Sequence, residues 1–385
     1  MQPKKLLTAL SALAAFSAAP AHAINLYGIG FVTFGDALSY SMPFANYQAI
    51  GEVSPNPGDP FYIASSPGAI QDLVVIATGT NNGPVNTNFA GMDNPFETPS
   101  GHSGGNFFST GSVTEAGQVS AFTGDRSGTW DATVASLVNF LQGDQMVFFF
   151  NNNQDNSGGS FNQSLAIWAQ AWVTDPSGAV VVAPGQSGYY DVSNNGMPFA
   201  LTTEGGGGTI IGDPTAYTSA GRVTAPGTND YVLAGGQYCA ASSFGGALVP
   251  CASPVADIGP VNHNLGANNA AYAVVLPELN GLIGAIASNP GAQNLLDHYT
   301  LHLDIRMGCD PSIGAAGDAA CSGGGTTWNR NLNSGYEQIF MGRATFNGPT
   351  PPGNPVPEPA APALLGAAML AAVGARRLSR GRAAA

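Results

Sequence analysis

Short apolar runs bounded by Gly, Asn, Pro and Asp recur along the chain. They are Ile24 to Phe34, Asp72 to Thr78, Gly111 to Phe122, Gln145 to Asn151 and Ser164 to Thr174, then Asp230 to Gly235, Ala270 to Leu276, Tyr299 to Met307 and Gly335 to Phe346. Their β-branched and aromatic content and their turn-forming flanks predict strands. In Tyr299 to Met307 the alternation is strict: Leu301, Leu303, Ile305 and Met307 share one face, and His302, Asp304 and Arg306 the other. That pattern predicts a half-buried antiparallel strand with a polar outer face.

Two segments have helical period instead. Val134, Leu137, Val138 and Leu141 fall at i, i+3, i+4 and i+7, and Gly143 ends the run. Pro277 and Glu278 open a second helix, with Leu279, Leu282, Ile283 and Ile286 as its stripe. Asn46 to Pro67 and Asp175 to Gly227 lack a period and are expected to be loops or short hairpins. No fixed repeat is seen, which argues against a solenoid or propeller. The expected fold is all-β, an antiparallel, jelly-roll-like β-sandwich with one or two short covering helices. Its body spans residues 24–347 as one domain or two lobes joined near Gly205 to Gly208.

The two ends have a different pattern. Lys4 and Lys5 precede an apolar run from Leu6 to Ala19 and small residues at Ala21 and Ala23, which reads as a signal peptide over 1–23 cleaved before Ile24. At the other end a Pro/Gly linker begins at Gly348 and carries Val356-Pro357-Glu358-Pro359. An Ala-rich apolar stretch, 360–375, follows, and a basic tail, 376–385, opens with Arg376 and Arg377. From Pro362 to Ala375 a helix would span ~21 Å, short of a ~30 Å hydrocarbon core, so it suits transient membrane retention. The arginines would stay cytoplasmic and the body outside.

This motif, helix and arginine order resembles the PEP-CTERM sorting signal of Gram-negative bacteria, read by exosortases. The resemblance implies export, transient inner-membrane attachment, cleavage near the motif and delivery to the cell surface or extracellular matrix. The partners it implies are signal peptidase and exosortase. Its setting in exopolysaccharide-producing, biofilm-forming bacteria makes extracellular polysaccharide a candidate ligand. The segments TWDATVASLVNFLQGDQMVFFFNNNQ and NSGYEQIFMGRA also look like parts of exported proteins bearing this tail.

Composition narrows the function classes. Between residues 24 and 357 the chain has five arginines, no lysine and 23 acidic residues, a formal charge of −18. Such a surface repels nucleic acid. Cys239, Cys251, Cys309 and Cys321 form an even set with equal 12-residue separations. In an exported chain they are expected to pair as Cys239–Cys251 and Cys309–Cys321, each stabilising by ~3 kcal/mol. The absence of C-x-x-C spacing argues against zinc.

The catalytic motifs are weak. Gly101-His102-Ser103-Gly104-Gly105 matches a nucleophile elbow, but neither a strand before it nor a helix after it is visible. His298, His302 and Asp304 share a strand face but spread ~7–13 Å along it, too far for one ion. His263 is read as a loop histidine without a visible partner. Asn151 to Gly159 is rich in side-chain oxygens yet has one carboxylate, Asp155, and lacks a calcium-loop pattern. Trp168 and Trp172 would share one strand face, as core or as a sugar-stacking pair. No catalytic, cofactor or metal residue is assigned. The expected function is a non-enzymatic surface or matrix protein, the alternative an extracellular carbohydrate-active enzyme or lectin-like module.

Overall fold

The computed structural model describes residues 23–34, 36–65, 73–79, 88–99, 107–111, 122–151, 153, 165–191, 200–202, 232–234, 238–242, 247–250, 254–261, 263–266, 269–308, 332 and 337–345. The chain divides into two units, 1–349 and 350–385, and every described residue lies in the first. Residues 112–121 of the expected strand Gly111 to Phe122, the linker, Val356 to Pro359, the tail helix with Arg376 and Arg377, and Ala21 fall outside the described residues.

The fold is mostly β, with two principal sheets. The larger has nine strands: β1 (Ile24–Asn25), β2 (Phe31–Phe34), β3 (Ala37–Ser41), β4 (Val74–Thr78), β5 (Phe96–Glu97), β8 (Gln145–Phe150), β11 (Ala200–Thr202), β16 (Tyr272–Val275) and β18 (Ile339–Thr345). Eight lie in the order β11-β2-β3-β16-β8-β18-β4-β5, and β1 also pairs with β18. The second sheet holds β6 (Phe107–Ser109), β7 (Trp130–Thr133), β9 (Leu165–Thr174), β10 (Tyr189–Asp191), β12 (Val232–Ala234) and β17 (Thr300–Gly308). A small sheet joins β13 (Tyr238–Ala241), β14 (Ala247–Pro250) and β15 (Ile258–Val261). The pairing is mixed rather than wholly antiparallel, because β1 runs parallel to β18 and β4 parallel to β5.

The larger sheet is buried on both faces. Phe148, Phe150, Val274, Ile339 and Met341 belong to one apolar cluster, while Val147, Phe149, Val275, Phe340 and Ala344 belong to a second. A sheet covered on both sides needs near-continuous apolar strands, which is why QMVFFF and YAVV carry no polar alternation. The first cluster also takes Ala169, Ala171, Leu303 and Ile305 from the second sheet, and these four line a narrow cavity with Phe148, Phe150, Val274 and Ile339.

The helices follow their capping residues. α2 (Val134–Leu141) starts at Thr133, whose hydroxyl accepts the Ser136 N–H, and ends at Gln142 in the left-handed conformation. α3 (Pro277–Ser288) begins with Pro277 in its first turn and buries Leu279, Leu282, Ile283 and Ile286. Both match the expected stripes. A third helix, α1 (Met42–Ile50), overlaps the stretch expected to be a loop. Ser41 caps it, Pro43 fits its first turn and Gly51 closes it at φ 81°. Ile24 to Phe34 is two strands rather than one, parted by a turn at Tyr27–Gly28 with Gly28 at φ 76°.

Candidate functional site: a buried aspartate–histidine network

β17 lies between β7 and β9, and its register sets His302 opposite Asp131 on one side and Trp172 on the other. Directly opposed residues in such a ladder share a face at ~5 Å. The His302 Nδ1–H accordingly reaches Asp131 Oδ1 at 2.8 Å, and the ring stacks on Trp172 at 5.3 Å between centroids. Nε2 lies 2.9 Å from Thr174 Oγ1. Asp131, Thr174 and His302 are thus in line, in the order of a carboxylate–imidazole–hydroxyl relay.

Two loops complete the network. Asp93 Oδ2 accepts the Asp131 N–H at 2.7 Å, and the Asp93 N–H donates to the Asp131 carbonyl at 2.9 Å. Asp131 Oδ2 accepts the Arg126 N–H at 2.6 Å. Asp125 supplies a third carboxylate, and one oxygen from each of Asp93, Asp125 and Asp131 lies within 4.8 Å of the others. Burial and the charge of Asp131 raise the Asp125 carboxyl above its usual range, against a lowering pull from His302. Gly124 makes the close approach possible: it has φ +92°, and a Cβ there would meet Thr300 Oγ1 at 2.2 Å.

The three relay side chains are enclosed. Asp131 and His302 are 0 % exposed and Thr174 is 1 % exposed. The arrangement ties β7, β9, β17 and two loops together. The carboxylates are close enough to share a cation. However, Asp131 commits both oxygens to protein donors and Asp93 commits one.

The sequence-derived candidates are redistributed. The polar side of β17 is not an outer face: His302, Asp304 and Arg306 are all buried. Asp304 does not join His302; it binds Arg306 at 3.0 Å and lies 3.5 Å from Thr110 Oγ1. His298 ends a 3-10 helix, Gln293–His298, before β17 begins. His263 has partners after all: it is buried, with Nε2 2.7 Å from Ser41 Oγ and its ring stacked on Tyr272 at 4.7 Å. Trp172 is core, not a surface platform, and the Trp168 side chain lies outside the described residues. Cys239 is buried and disulfide-bonded. Cys251, Cys309, Cys321, Ser103 and Asp155 lie outside the described residues.

A second buried polar group crosses the end of the larger sheet. Ala77 pairs with Ile339 and Ile339 with Phe150. The next residues outward, Thr78, Gln338 and Asn151, therefore follow one another across β4, the start of β18 and β8. Among the described residues, Thr78 Oγ1, both amide atoms of Gln338 and Asn151 Oδ1 have no hydrogen-bond partner. The Asn151 amide nitrogen donates to Ser65 Oγ at 2.6 Å and to the Gly266 carbonyl at 2.7 Å. Glu337 is wholly enclosed beside them, and burial pushes its carboxyl up to about 8 despite an N–H from Asn153.

Asp131 preceded a visible helix in WDATV, but nothing local marked it as a partner for a histidine 171 positions away. Asp93 and Thr174 were missed for the same reason.

Residues 24–306 match the family model of a domain of unknown function, DUF8239, and the chain belongs to that family. The match spans Asp93, Asp125, Asp131, Thr174 and His302 and stops within β17. No curated protein and no solved structure matches the chain.

Proposed function

We propose that this is an exported surface or matrix protein with a non-catalytic β-sandwich body and two removable sorting ends. The observation that carries the reading is the position of Ile24. It follows the Ala21-His22-Ala23 cleavage pattern, opens the first strand and is the first residue of the family match. It pairs with Ala344 on the last described strand, and Asn25 pairs with Thr345. Residues 1–23 and the tail after 347 lie outside the span from first to last described strand, and we read the first as a signal peptide and the second as a linker, motif, membrane helix and basic tail. The apolar cavity lined from both sheets supports face-to-face packing of the sandwich. The enclosure of the aspartate–histidine–threonine line supports a binding or structural role over catalysis, with extracellular polysaccharide as the candidate ligand.

Mass spectrometry of the protein released from wild-type cells tests the sorting reading. The expected N-terminus is Ile24, with no peptide C-terminal to Ala360. Tail peptides in the released fraction would overturn it.

A further inference from the structure

We propose that residues 24–308 form a strand acceptor, and that insertion of the chain's own Ile339–Thr345 between β8 and β4 is the step that closes the body. The inference stands on topology and does not rest on the export reading. β18 is the last strand described, yet it occupies an interior position. It makes six pairs with β8, from Ile339↔Phe150 to Ala344↔Gln145, and pairs with β4 and β1 along its other edge. Among the described strands, β1 pairs with β18 alone, and β4 pairs with β18 and β5. Without β18, then, β1, β4 and β5 have no ladder joining them to the other strands of their sheet.

The core repeats the argument. Ile339 and Met341 enter one apolar cluster, and Phe340 and Ala344 enter the other, where they meet Ile24 and Leu26 from the opposite end of the chain. All four β18 residues are 0–1 % exposed. Neither cluster is complete until Ile339 to Ala344 are in place.

The slot is specific for this strand in this register. At Gly342 a Cβ would lie 2.6 Å from Phe149 Cε2 and 2.9 Å from Leu73 Cδ2, so the position accepts glycine and resists a larger side chain. One residue on, Arg343 approaches Asp144 at 3.6 Å and Gln142 at 3.3 Å. A one-residue slip would move glycine off Phe149, take Arg343 from these partners and exchange the faces of Phe340 and Met341. The occupant is therefore a segment that reads Ile-Phe-Met-Gly-Arg-Ala-Thr, supplied by the chain itself.

The test uses the whole chain with a protease site inserted after Gly323 and cut after folding. All four cysteines precede the cut, so no disulfide tethers the β18 fragment. Cut protein should stay together on size exclusion. After denaturation and dilution, its refolding rate should rise in proportion to fragment concentration, while the uncut chain refolds at a concentration-independent rate. A synthetic fragment bearing Gly342→Val should be captured about tenfold more weakly or worse. Dissociation of the fragment under native conditions would overturn the proposal. So would recovery of full hydrogen-exchange protection in β8 and β16 by the large piece alone, or equal capture of the valine fragment.

Discussion

The molecule buries polar side chains in two places and treats them differently. Around His302 the carboxylate, imidazole, hydroxyl and backbone N–H groups are paired with one another, although the enclosed Trp172 indole N–H has no described partner. Across Thr78, Gln338 and Asn151 the groups are equally enclosed, but several lack partners among the described residues. A buried polar group with its partner contributes ~1 kcal/mol net, whereas one without forfeits its whole hydration. The first region should weaken when a member is removed. The second should tolerate, or gain from, loss of polarity.

The largest effect is expected at Glu337. Its folded state keeps a proton up to about pH 8, while an unfolded glutamate releases it near 4.5. Its contribution is thus fully present below pH 4.5 and is lost as pH rises through 8. The loss amounts to on the order of 5 kcal/mol. Urea unfolding between pH 5 and 9 should show this decline, and Glu337→Gln should flatten it. An unchanged slope in the variant would remove Glu337 from the comparison.

Next comes the network itself. His302→Leu leaves Asp131 enclosed beside Asp93 and Asp125 without its imidazole, and should cost about 4 kcal/mol by chemical denaturation. Adding Asp131→Leu should restore part of that, since the stranded charge is gone. Additive losses would show that the two residues act separately.

His263 provides a milder contrast. It bonds the Ser41 hydroxyl and stacks on Tyr272. His263→Phe keeps the stack and should cost ~1 kcal/mol. A loss as large as that at His302 would mean that charge pairing does not distinguish the two histidines.

The smallest effect has the opposite sign. Gln338→Leu removes an enclosed amide with no described partner and should stabilise by ~1 kcal/mol. Clear destabilisation in thermal unfolding would show that the amide is satisfied in solution, and the contrast between the regions would narrow.

What could be read from the sequence followed local rules. α2 and α3 carried both a stripe and a stop or start residue, so their bounds were legible. α1 was not, because the apolar residues of MPFANYQAI form no single stripe, although Ser41, Pro43 and Gly51 marked its ends. β17 was legible as a strand but not in its burial. Alternation reports polarity, and polarity equals exposure only when no partner waits on the same face. For His302 the partner was Asp131, and for Asp304 it was Arg306 on the same strand. The site was therefore invisible locally, since the network exists only once β7, β9 and β17 are in register.

The parallel contact of β1 with β18 has a mechanical consequence. Ile24 opens the first described strand and Thr345 ends the last, and they lie in adjacent pairs of one short ladder, sealed by the Leu26 N–H to the Thr345 carbonyl at 2.6 Å. Because the strands are parallel and the pull enters β1 at its start and β18 at its end, tension through both ends would shear this ladder and load its hydrogen bonds together. The load would bypass the rest of the larger sheet.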